Sequence, residues 1–127
     1  LSCMIIHPEA MCKQIRGEQE ALYISEPGKS CPTEILEKLA EYNAEGRPIW
    51  KPMHMQPIYR TNGFVTREGD GRAKTNAYIS GGAVGKDGKP LDVGMDIFHR
   101  GLCLPSDNKM TAEQQEVIIN IIKDLFA

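Results

Sequence analysis

The stretch IWKPMHMQPIY, residues 49–59, constrains this chain more than any other. Pro52 and Pro57 each lack an N–H and restrain the residue before them, so a regular helix cannot run through it. No run within it is long enough for a strand. It nevertheless holds the only Trp, one of the three His and two of the six Met. Such a stretch is either a wedge that locks a loop or part of a site.

On either side the chain punctuates itself clearly. Leu1–Ile6 is apolar, is bounded by His7-Pro8 and reads as a buried strand. The chain opens without Met inside that run, as a piece of something longer would. Residues 9–31 read as polar and irregular, with EPGKSCP as loop chemistry. Pro32 suits the first turn of a helix, and Glu34 complements its dipole. Ile35, Leu36, Leu39 and Tyr42 recur at helical spacing, and Gly46 is expected to end the element. Arg47–Trp50 reads as a short strand.

Residues 60–90 are rich in glycine and charge, with EGDGR and GKDGK as turns, and look like an insertion. Leu91, Met95 and Phe98 then mark a short helix ended by Arg100-Gly101. LCLP is a short buried strand closed by Pro105. TAEQ at Thr111–Gln114 is a capping box, opening a helix with the stripe Val117, Ile118, Ile121, Ile122 and Leu125. Few, short strands interleaved with helices predict a small α+β layer rather than a doubly wound sheet. At 127 residues the length is that of one domain.

A formal net charge of -2, with basic residues scattered, argues against nucleic acid as the main partner. No apolar run reaches the roughly 20 residues of a membrane span. Cys3, Cys12, Cys31 and Cys103 lie far apart without a CxxC pair, and Cys3 and Cys103 sit in apolar runs. That pattern favours buried thiols in a reduced, cytoplasmic protein over a disulfide scaffold. His7, His54 and His99 have no metal-ligand spacing with these cysteines, so no metal site is expected.

ISGGAVGKDGK lacks the full phosphate-loop spacing and reads as a glycine-rich hairpin. Ser106 and Asp107 in LPSDN fit a turn before a helix as well as they fit chemistry. Lys51 and Lys109 read as solvated lysines, because nothing local marks a Schiff-base amine. In the 49–59 stretch, Trp50, Met53, Met55 and Ile58 can pack a stiff loop on a core. Equally, Arg47, Lys51, His54, Gln56 and Tyr59 can present donors and ring faces from it. Local physics does not separate the two.

EGRPIWKPMHMQPIY, followed by DIFHRGLCLPSDNKMTAEQQEVIINIIKDLF and preceded by PTEILEKLAEYNAEG, resembles the C-terminal region of the DegT/DnrJ/StrS sugar aminotransferases. The resemblance covers residues 32–59 and 91–126. It implies that 1–127 is the small C-terminal domain of the aspartate-aminotransferase fold, a short antiparallel sheet with helices packed on one side. Segments 9–31 and 60–90 are then longer than the family's usual connections. It further implies a homodimeric parent that uses pyridoxal 5'-phosphate to move an amino group, from glutamate, onto a keto-deoxysugar nucleotide. The Schiff-base lysine and the aspartate facing the pyridine nitrogen would lie outside this chain, so no catalytic residue is expected here and the chain alone would be silent. By the same resemblance Arg47, Lys51, His54, Gln56 and Tyr59 are the substrate-binding candidates, while RGLCLPS is architecture in which Gly101 caps a helix. A non-catalytic sugar-nucleotide-binding or regulatory module of the same family is the alternative.

Overall fold

The computed structural model describes residues 1–16, 21–59 and 84–127. They form two compact units: Leu1–Ile49 with Arg100–Ala127, and Trp50–His99.

In the first unit, β5 (Gly101–Leu104) is the middle strand of an antiparallel sheet, between β1 (Ser2–Ile5) and β4 (Arg47–Pro48). The β1–β5 register pairs Ser2 with Leu104 and Ile5 with Gly101. The Ile6 N–H donates to the Arg100 carbonyl at 3.0 Å. Antiparallel pairs alternate between hydrogen-bonded and non-hydrogen-bonded, so Ile6–Arg100, Met4–Leu102 and Ser2–Leu104 carry the ladder. Cys3–Cys103 and Ile5–Gly101 are the close, unbonded pairs. The same alternation puts Pro48, opposite Leu102, where its missing N–H costs no ladder bond.

The sheet's even-numbered residues face the helices. Ile6 and Leu102 join Ile35, Leu39, Ile118 and Ile121 in a buried cluster, with Met4 and Leu104 packed against it. Helices α1 (Pro32–Glu41) and α3 (Ala112–Asp124) supply the other half, which is the mixed, one-sided layer expected of a small α+β unit. The expectation of a buried first strand is corrected. Cys3 and Ile5 point to the other face and are exposed, because β1 is an edge strand covered on one side only.

The α1 start follows the sequence, with Pro32 in the first turn. Its N-cap is Cys31, whose Sγ accepts from the Glu34 N–H at 3.5 Å. Its end does not follow the sequence. Asn43, at φ 54°, takes the left-handed position. The Ala44 N–H reaches the Leu39 carbonyl and the Asn43 N–H the Ala40 carbonyl, both at 3.0 Å, which is a Schellman closure. Gly46 instead permits close packing: a Cβ there would sit 2.7 Å from Leu36 Cδ2 and 3.1 Å from the Cys103 carbonyl oxygen. Tyr42, expected on the buried stripe, is exposed because the helix has already ended.

Helix α3 opens with the capping box as read, Thr111 Oγ1 accepting from the Gln114 N–H and Gln114 Oε1 from the Thr111 N–H. Ile118 and Ile121 are buried, Ile122 and Leu125 lean on the core, and Val117 is exposed.

The largest departure is in residues 9–31. Here β2 (Lys13–Arg16) pairs antiparallel with β3 (Ala21–Ile24), where an irregular stretch was expected. Its polar residues face α1: Gln14 Oε1 accepts from Thr33 Oγ1 at 3.0 Å, and Tyr23 Oη donates to Glu37 Oε2 at 2.7 Å. That bond pushes the Tyr23 hydroxyl up to about 12. Ile15, Leu22 and Ile24 are exposed. A pattern search that expects apolar-in and polar-out therefore passes over these strands. Ser30, fully buried, is satisfied throughout: its N–H donates to the Ala10 carbonyl, its carbonyl accepts from Cys12, and its Oγ donates to Glu34 at 2.7 Å.

In the second unit, α2 (Val93–Arg100, its last residue counted with the first unit) begins two residues after Leu91. Gly101 does not cap it. That residue is the first of β5 and is buried opposite Ile5. GKDGK does form a tight turn, with Gly88 at φ 73° and the Gly85 N–H bonded to the Lys89 carbonyl at 2.8 Å. EGDGR and most of the 60–90 segment lie outside the described residues.

Candidate functional site

The prolines that exclude a helix from residues 49–59 organise it instead into two consecutive three-residue turns, Met53–Met55 and Pro57–Tyr59. Pro52 precedes the first and its carbonyl accepts from the Met55 N–H at 3.0 Å. Pro57 begins the second, where a preset φ and a missing donor are tolerated. Tyr59 N–H closes that turn on the Gln56 carbonyl at 2.9 Å. Gln56 also spans the first turn with its side chain, donating Nε2 to the Lys51 carbonyl at 3.3 Å.

Such turns have few inward positions. Met55 takes one and is buried with Met95, and Phe98 packs against both. Trp50, Met53 and Ile58 are 71%, 63% and 78% exposed, which corrects the expectation that all four apolar residues wedge the loop. Pro52 lies along α2, where a Cβ on Gly94 would come within 3.3 Å of its Cγ.

His54 fixes the loop to the helix. Its Nε2 lies 2.6 Å from Asp92 Oδ2, with the two side chains 16% and 14% exposed. The other Asp92 oxygen accepts from the Met95 N–H at 2.9 Å, so one carboxylate caps α2 and orients the imidazole together. Asp92 was missed from the sequence. The signal that could have found it is an Asp three residues before Met95, the N-cap position.

Of the five candidates, Lys51, His54, Gln56 and Tyr59 belong to the second unit, where His54 lies in the first turn, Lys51 and Gln56 flank it and Tyr59 ends the second. Arg47 belongs to the first unit, on β4, and its guanidinium pairs with Glu45. Ser106 and Asp107 are turn residues: Ser106 Oγ accepts from the Ser2 N–H, and Asp107 Oδ1 from the Lys109 N–H at 2.9 Å. They border an open groove of about 720 Å³ whose wall includes Tyr42, Glu45, Lys109 and Met110. Among the described residues no three His, Cys, Asp or Glu cluster as metal ligands. No helix among them is long and apolar enough to cross a membrane.

The chain is similar to the Bacillus subtilis (strain 168) protein named "Putative pyridoxal phosphate-dependent aminotransferase EpsN". The two are 35% identical over 95 residues, 75% of this chain. With the motifs read from the sequence, this similarity supports a DegT-type aminotransferase domain. It spans 19% of the length of that relative. No protein-family model matches the chain, and no solved structure matches it.

Proposed function

We propose that this chain is the C-terminal small domain of a pyridoxal-phosphate-dependent aminotransferase that moves an amino group from glutamate onto a keto-deoxysugar nucleotide. The observation that carries the reading is the 35% identity to an aminotransferase over 75% of the chain. The order of the WKPMHMQP, RGLCLPS and TAEQQ segments supports it.

The described residues do not fit the cofactor by themselves. The lysine that shares a groove with carboxylates, Lys109, stands exposed on a turn, not enclosed as a Schiff-base amine requires. In this reading the cofactor's Schiff-base lysine belongs to the part of the parent outside this chain, as the resemblance implies. The contribution of this chain is to bind and orient. His54 and Gln56 hold the loop's shape through Asp92 and the Lys51 carbonyl, while Lys51 and Tyr59 meet the sugar nucleotide. In the first unit, taken by itself, Arg47 is a candidate for a phosphate, since a guanidinium pairs with phosphate oxygens in a planar, bidentate way.

The test is the full-length parent supplied with pyridoxal phosphate, glutamate and a 4-keto sugar nucleotide. Formation of 2-oxoglutarate and of the amino sugar in equal amounts is expected. Binding of the sugar nucleotide without turnover, under conditions that load the cofactor, would establish the non-catalytic module instead.

A further inference from the structure

Four cysteines far apart in sequence come together as two pairs. Cys3 and Cys103 face each other across β1 and β5 with their sulfurs 3.7 Å apart. They occupy a non-hydrogen-bonded position of the ladder, established by the Ile6–Arg100 bond three residues along. Opposed residues at such positions have Cα atoms about 4.5 Å apart, inside the roughly 4.4–6.8 Å range that a disulfide spans. Neither strand needs to shift register for the sulfurs to bond. Cys3 is exposed and Cys103 is buried, so one sulfur meets solvent and the other waits behind it.

Cys12 and Cys31 are the internal contrast. Both are buried, at 3% and 0% exposure, and Cys31 caps α1. Burial, then the neighbouring Cys31, push the Cys12 thiol up to about 12. Thiolate character and access both govern reactivity; both of these sulfurs are shut off from solvent, and Cys12 is also held as the thiol.

We propose that Cys3 and Cys103 form a reversible oxidation site for peroxides, closing a cross-strand disulfide that fastens the edge strand β1 to the central strand β5. The Cys3 thiolate attacks one oxygen of hydrogen peroxide, the O–O bond breaks, and the other oxygen leaves as water after taking a proton. Cys3 is then a sulfenic acid. Cys103 attacks the Cys3 sulfur, the S–O bond breaks, and the hydroxide leaves as a second water with the thiol proton. Two thiols and one peroxide thus give one disulfide and two waters. A small dithiol reverses the step by taking the disulfide's oxidation onto itself. Because Arg47 is the register partner of Cys103 on β4, the switch lies in the same cross-strand row as the candidate phosphate ligand.

Reduced full chain is treated with equimolar hydrogen peroxide, alkylated and cleaved after Glu9, which separates Cys3 from Cys12. The expected result is an intact mass lower by two hydrogens and a single linked peptide pair containing Cys3 and Cys103, reversed by dithiothreitol, with Cys12 and Cys31 still reduced. The linked form should unfold at a higher urea concentration than the reduced form. Cys3→Ser, which removes an exposed thiol and leaves the core intact, should abolish the link. Persistence of four free thiols, a Cys12–Cys31 link, a dimer through Cys3, or over-oxidation of Cys3 without a link would each overturn the proposal.

Discussion

The two units of this chain are held by different physics. The first buries Ile6, Ile35, Leu39, Leu102, Ile118 and Ile121 in one cluster between a sheet face and two helices, each closed by well-formed caps. Among the described residues of the second, Met55 and Met95 are buried with Phe98 against them, and the His54–Asp92 bond holds a loop to a helix. Apolar burial is non-directional and tolerates small shifts, whereas a half-buried polar pair is specific in geometry and costly to break on one side. Among the described residues, apolar packing thus dominates the first unit, and a directional polar pair fixes the loop of the second.

The largest loss of stability is expected from the core of the first unit. Leu39→Ala removes a fully buried side chain at the centre of its cluster, and a loss of about 2–5 kcal/mol is expected in urea unfolding. Amide exchange should accelerate across α1, α3 and β5, while the amides of Val93–His99 keep their wild-type rates. If protection falls equally in both units, the division into separately stabilised parts is wrong.

Next comes the polar pair. Asp92→Ala removes the α2 cap and the contact to His54 Nε2, and a loss of about 1–3 kcal/mol is expected. His54→Ala removes the imidazole but leaves the cap, so it should cost less, about 1 kcal/mol. Faster exchange confined to the second unit, in that order of severity, is the outcome to look for. Equal costs would mean that the cap contributes nothing beyond the His54 bond. In the full-length parent the same pair separates shape from contact. If His54 touches the sugar nucleotide, His54→Ala weakens its binding more than Asp92→Ala does. If it only holds the loop, Asp92→Ala is the more damaging.

How legible these two regions were in the sequence follows from the same physics. Helical periodicity and the Thr111–Gln114 box are local signals, so α1 and α3 could be read directly. The end of α1 was misplaced because Asn43 can adopt the left-handed conformation usually given to glycine, while Gly46 is needed for a contact with Leu36 and Cys103 that no local pattern reports. The β2–β3 pair was invisible because its polar side chains are the satisfied ones. In the candidate site, the residues of the 49–59 stretch stood out by type, but their partners did not. Asp92 lies 38 positions from His54, and pairings at that distance are made by the fold, not by spacing.

The smallest expected effect falls on the rarest residue. Trp50 is 71% exposed in the second unit, so Trp50→Ala should change stability by no more than about 0.5 kcal/mol. A wedge would cost several times that, since truncating a buried aromatic removes its packing and leaves a cavity. Thermal unfolding of the variant followed by circular dichroism decides between them. A near-neutral result leaves the loop's shape to Met55, the prolines and the Asp92 bond. An exposed Trp50 beside Met53 and Ile58 then stands among the polar candidates as a surface the loop presents, not as the means by which it is held.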